Sequence, residues 1–145
     1  MGSGIKDIFS NTPNNLPTNL TNAAMSYQKK DLYQLDFTGL YEITAGNTDF
    51  MLSLLQVIST GLDQYPQKLK QALDSQAIED FASIAHKYKS STAYLHFEDL
   101  QGLLSELEKT AVYNTDLYLK HQMVEELSHF ALEQVMLKIQ ELLLK

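Results

Sequence analysis

Two stretches of this chain bring together side chains able to do chemistry. The first is Ala82-Ser83-Ile84-Ala85-His86-Lys87-Tyr88-Lys89-Ser90. A neutral imidazole nitrogen is a competent nucleophile near pH 7, because its reference pKa is about 6.5. Lys89 follows His86 by three residues, so on a helix the two share a side and the ammonium can sit beside a phosphoryl oxygen. The second stretch is His121 to His129, where His121, Glu125 and His129 recur every four residues and Glu126 with His129 forms one Glu-x-x-His. Di-iron bundles use two such motifs plus two further inward glutamates. Only one is present, and Leu127, Phe130 and Val135 mark the adjoining stripe as core, so no metal site is expected. Ser90, Ser91 and Thr92 beside His86 lack an orienting acid, an oxyanion loop and a nucleophile elbow. Glu98 and Asp99 suit a helix start, where acids favour the dipole.

The first constellation depends on the helix that carries it. At about 100° per residue, Ala77, Ile78, Phe81, Ile84, Ala85, Tyr88, Thr92 and Leu95 gather on one side and make a core face. His86 then points about 140° away from the centre of that face. Ala82, Ser83, Ser90 and Ala93 surround that direction. A lone surface histidine on a helix is usually only solvated, but this ring of small residues has a physical use. A long Glu, Gln or Arg there would screen the imidazole, whereas small side chains let another protein approach closely.

The remaining elements follow from apolar periodicity. Residues 1–30 read as a polar, poorly ordered lead or linker, with five Asn and two Pro and too little apolar surface to offset ordering. The bundle is expected over residues 31–145. Leu32, Leu35, Phe37, Leu40, Tyr41 and Ile43 form a short amphipathic unit that stops at Gly46, after which Asn47 or Thr48 can cap a helix. Phe50, Leu54, Leu55, Ile58, Leu62, Tyr65, Leu69 and Leu73 continue at helical spacing, with Pro66 expected to kink or divide the run. Asp74 or Ser75 can cap a third helix running to about Leu95, and a fourth covers about Phe97 to Ala111. Past Asn114-Thr115-Asp116 a long final helix carries Leu119, Met123, Leu127, Phe130, Ala131, Val135, Leu137, Ile139 and Leu142. The fold class this implies is all-α: an antiparallel up-and-down four-helix bundle with a short extra N-terminal helix.

Composition narrows the function classes. The 145 residues suit one domain, and 44% hydrophobic residues can build its core. A net charge of -7 with no Lys/Arg cluster argues against nucleic acid and anionic lipid. Without cysteine there is no disulfide and no thiol nucleophile, which fits a reducing cytoplasm. No run of about 18 apolar residues exists, so membrane insertion is not expected. Met1-Gly2-Ser3-Gly4 lacks the basic and apolar regions of a signal peptide.

The segment Ala85-His86-Lys87-Tyr88-Lys89-Ser90-Ser91-Thr92-Ala93-Tyr94-Leu95 resembles the signature of histidine-containing phosphotransfer (HPt) domains: His, two residues, Lys, then small residues ending near a leucine and a glycine. Leu35-Asp36-Phe37 through Gly46-Asn47-Thr48-Asp49-Phe50 is similar to the opening of many such domains. Leu62-Asp63-Gln64-Tyr65-Pro66 through Leu69 and the stretch Leu100 to Glu108 fit as well, so the resemblance covers about residues 32–111. It implies that His86 is the phosphorylated histidine and Lys89 the phosphate-side cation. Ser90 stands where the family most often has glycine, and His96 where a glycine often follows the leucine, which puts the turn after helix three in question. The implied role is a phosphorelay intermediate of two-component signalling, carrying phosphoryl between receiver-domain aspartates. The partners implied are a response-regulator receiver domain, which would bring its own Mg2+, and a hybrid sensor histidine kinase. Thr60 or Gln64 of helix two is expected to orient the imidazole. The chain itself needs no cofactor, shows no Walker sequence or glycine-rich nucleotide loop for an ATP-dependent kinase activity, and is expected to be a cytoplasmic monomer. The alternative is a helical adaptor that binds a signalling partner without accepting phosphate.

Overall fold

The computed structural model describes residues 33–144. The polar lead expected over residues 1–30 lies outside the described residues. Five α-helices follow: α1 Thr38–Ile43, α2 Thr48–Asp74, α3 Ile78–Ser91, α4 Glu98–Glu108 and α5 Leu117–Leu143, with a 3-10 turn at Ala93–Leu95 between α3 and α4. No strand occurs among the described residues. Helices α2 to α5 pack in sequence, each on the next, and α5 closes the ring against α2. With short links between long helices, this is an up-and-down four-helix bundle. The short α1 packs against the 3-10 turn.

Local chemistry sets the ends of α1 and α2. The Thr38 amide donates to Asp36 Oδ1 at 2.8 Å and opens α1. Ala45 and Gly46 then adopt left-handed φ values of 51° and 75°, and the Gly46 amide returns to the Tyr41 carbonyl at 3.1 Å. Gly46 takes that conformation without the steric cost a side chain would add. Asn47 caps α2, its side-chain oxygen accepting from the Phe50 amide at 2.8 Å, as the sequence suggested. A cap of this kind contributes about 1 kcal/mol.

Pro66 does not divide α2, which runs unbroken for 27 residues. The proline is buried, and its carbonyl accepts a hydrogen bond from His121 Nε2 of α5 at 2.6 Å. Neither Asp74 nor Ser75 caps α3. Asp74 is still helical, Gln76 turns the chain at φ 57°, and α3 begins without a side-chain cap. Asp74 instead accepts from the Tyr118 hydroxyl at 2.8 Å, which fastens α2 to the start of α5. That hydrogen bond is the main reason the Asp74 carboxyl lies below the usual carboxylate range.

The core holds the expected face of α3. Phe81, Ala85, Tyr88 and Leu95 are fully buried, together with Leu55, Leu69 and Leu73 of α2, Leu100, Leu104 and Leu107 of α4, and Val124, Ala131 and Val135 of α5. The Tyr88 ring stacks on Tyr65 with centroids 5.0 Å apart, and its hydroxyl bonds to buried Ser128. Six residues assigned to apolar stripes face solvent instead: Tyr41 and Ile43 of α1, Phe50 of α2, and Leu119, Met123 and Leu137 of α5. On α5 the buried set Leu117, Val124, Ala131, Val135 and Leu142 already fills the side toward the bundle, and those three apolar neighbours fall on the other side of the wheel.

Candidate functional site

Burial of Phe81, Ala85, Tyr88 and Thr92 turns the opposite side of α3 outward. His86 stands there with 67% of its side chain exposed. Around it, Ala82 is half-buried and Ser83 and Ser90 are exposed. Ala93 is exposed too, but on the 3-10 turn rather than on α3. The helix ends four residues short of the expected Leu95. There, the Thr92 hydroxyl bonds back to the Tyr88 carbonyl at 3.0 Å, and Gln101 of α4 donates to the Lys89 carbonyl at 3.1 Å and to Thr92 Oγ1 at 2.8 Å. Gln101 thus takes up the Lys89 carbonyl, one of those that the helix end leaves open. The turn in question closes with His96 in the left-handed region at φ 50°, where glycine would be the cheaper residue. Leu95 is still buried.

The imidazole is held from α4. Glu108, the last residue of that helix, places Oε2 at 2.9 Å from His86 Nδ1 and Oε1 at 2.5 Å from Lys89 Nζ. Lys89 Nζ also lies 3.4 Å from Ser105 Oγ. The Glu108 side chain is only 18% exposed and that of Lys89 26%, so the pair is partly withdrawn from water while the imidazole is not. The ionised carboxylate can only accept, so Nδ1 carries the ring proton. Nε2 then keeps its lone pair, and it has no partner among the described residues. The Lys89 hydrogen bond, and after it that of His86, holds the Glu108 carboxyl below the usual carboxylate range against partial desolvation.

Thr60 and Gln64, expected to orient the imidazole, take other positions here. Thr60 Oγ1 donates to the Gln56 carbonyl of its own helix at 3.0 Å, Gln64 is exposed, and neither bonds to His86. Helix α2 approaches the other flank of α3. A Cβ on Gly61 would lie 3.4 Å from Ser91 Oγ, whereas His86 and Lys89 lean toward α4. Sequence reasoning missed Glu108. The available signal was an acid in the last turn of a helix, where the dipole disfavours it and a tertiary partner is needed to offset that cost.

The second constellation is split. His121 is buried, with Nε2 on the Pro66 carbonyl and Nδ1 3.6 Å from Glu125, while His129 is exposed and 3.6 Å from Glu133. Among the described residues no group of three or more His, Cys, Asp or Glu could hold a metal ion, and no helix is long and apolar enough to cross a membrane.

The bundle thus presents an exposed histidine bonded to a carboxylate, with a lysine a turn away. The family model of the Hpt domain matches residues 53–142, well over half of the chain, and the chain belongs to that family. The match reaches from α2 almost to the end of α5, beyond the segment in which the resemblance was visible. No curated protein and no solved structure matches the chain.

Proposed function

We propose that this chain is a phosphorelay intermediate of two-component signalling, in which His86 Nε2 accepts a phosphoryl group from a receiver-domain aspartate and later returns it to another. The observation that carries this reading is the pairing of an exposed Nε2 with an Nδ1 tied to Glu108. The ring is oriented, and its nucleophilic nitrogen points to where a partner can come. Ala82, Ser83, Ser90 and Ala93 let the receiver surface close over it. Lys89, a short reach from the phosphoryl position, neutralises charge as it is transferred. The receiver would supply Mg2+ and the phosphoaspartate, so transfer needs positioning and electrostatics more than further catalytic groups from this chain. A receiver or a hybrid sensor histidine kinase in the cytoplasm is the partner this chemistry suits.

The test mixes the chain with a receiver domain carrying labelled phosphoaspartate. The wild type is expected to acquire acid-labile, base-stable label, and His86→Gln to acquire none. Tight receiver binding without any transfer would favour the adaptor reading instead.

A further inference from the structure

We propose that Lys68 and Lys87 form a basic docking edge beside His86 that draws in the acidic rim of a receiver domain. The inference rests on the carrier reading and adds to it the charge that steers the partner. It begins from how the chain uses its lysines. Lys70, Lys89, Lys120 and Lys138 each meet a carboxylate of this chain, on Asp74, Glu108, Glu106 and Glu141. Lys68, Lys87 and Lys109 meet none among the described residues. Lys68 has only the Tyr65 ring, whose centroid is 5.3 Å from its ammonium. Lys109 directly follows Glu108, and all three are exposed.

Lys68 and Lys87 are far apart in the sequence, yet the fold brings them to one place. Both line the groove between α2 and α3, with Gln71, Ser75 and Ser83. Tyr65 stacks on Tyr88, and Gly61 lies against Ser91. This antiparallel register puts Lys68 opposite the turn of α3 that carries His86. Glu108 holds the imidazole from the α4 flank, so the groove lies on the other flank. Ser83 belongs both to the groove and to the small-residue surface around His86, which makes the two continuous. Asp80 is the one acid among the described lining residues, and it stands further from His86 along α3 than Lys87 does.

Charge identifies the occupant. A chain of net charge -7 repels an acidic partner at a distance. A receiver that holds Mg2+ beside its phosphoaspartate presents carboxylates there, because Mg2+ takes oxygen ligands. Two ammonium groups with no carboxylate of their own reverse the local sign of the field where that rim arrives. Such an edge raises the rate of correctly oriented encounter more than it raises affinity.

The experiment measures transfer from the phosphorylated receiver of the functional test to wild type, Lys68→Glu, Lys87→Glu, the double variant and Lys70→Glu. Lys70 is exposed on α2 outside the groove, so its reversal changes net charge away from the edge. Stopped-flow second-order rate constants are read at about 0.03 M and about 1 M salt, the latter cutting the screening length to about 3 Å. Potassium phosphoramidate, a small phosphoryl donor to histidine, reads His86 itself in each protein without a docking partner. At low salt the double variant is expected to lose about tenfold to a hundredfold in rate, and Lys70→Glu less than about twofold. At high salt the five proteins are expected to converge. A double variant slowed no more than Lys70→Glu, or slowed equally at both salt concentrations, overturns the docking edge and leaves the carrier reading standing. Receiver binding that depends on both lysines, with no phosphoryl reaching His86 from either donor, overturns the carrier reading and keeps the edge.

Discussion

Removing the Tyr88 hydroxyl tests whether the core is held by a specific polar contact or by apolar packing alone. Tyr88 is fully buried and Ser128 nearly so, and their hydroxyls bond across from α3 to α5. Tyr88→Phe keeps the ring and its stack on Tyr65 but leaves the Ser128 oxygen without its partner. A buried hydroxyl so orphaned costs about 1–3 kcal/mol. Ser128→Ala strands the tyrosine hydroxyl in the same way. The double variant strands neither, so it should cost less than the two single changes together, by about 1 kcal/mol. Urea unfolding followed by circular dichroism measures each stability, with an unchanged m-value showing that the denatured state is the same. Phosphoryl uptake at His86 should be unaffected, because Tyr88 faces the core and His86 faces solvent. Strictly additive costs, or a Tyr88→Phe protein as stable as wild type, would refute this assignment of the hydroxyl pair.

Other outcomes follow from the same geometry. The Glu108 carboxyl is held below its ordinary value of 4.5, first by Lys89 and then by His86. Its contribution to stability is therefore complete above about pH 4.5 and fades as pH falls through the lowered folded-state value. Urea midpoints of wild type and Glu108→Gln should differ at pH 6 and converge as pH falls below the ordinary carboxylate range. Lys89→Ala should slow transfer from a phosphorylated receiver by about tenfold to a hundredfold with little change in circular dichroism; stopped-flow or gel-based transfer kinetics give the rate. Ser90→Arg should slow transfer from the receiver while leaving uptake from phosphoramidate unchanged, because it obstructs docking and not the nitrogen. Comparing the two donors in parallel separates those effects.

Sequence periodicity disclosed the bundle because the buried faces repeat at helical spacing. Phe81, Ala85, Tyr88 and Leu95 fall inside where the wheel places them, and the same wheel turns His86 outward. Caps with a local code were also legible, such as Asn47 with the Phe50 amide three residues on. What escaped depends on neighbours distant in the chain. Glu108 meets His86 across 22 residues, and its place in the last turn of a helix signals a tertiary partner without saying which one. That His86 bonds to α4 and not to Thr60 or Gln64 of α2 was not legible, because a wheel gives the direction of a side chain but not which helix lies on which flank. The early end of α3 is fastened by Gln101 of α4, again a tertiary contact. Leu119, Met123 and Leu137 have apolar types at helical spacing, and only the packed bundle shows that they fall outside it.

The most direct measurement labels the four histidines with 15N and follows their ring nitrogens by NMR as a phosphorylated receiver is added. Nε2 of His86 is expected to shift and couple to phosphorus, while His96, His121 and His129 keep their resonances. Coupling at Nδ1 of His86, phosphorus on another histidine, or no coupling at all in the presence of a competent receiver would contradict it.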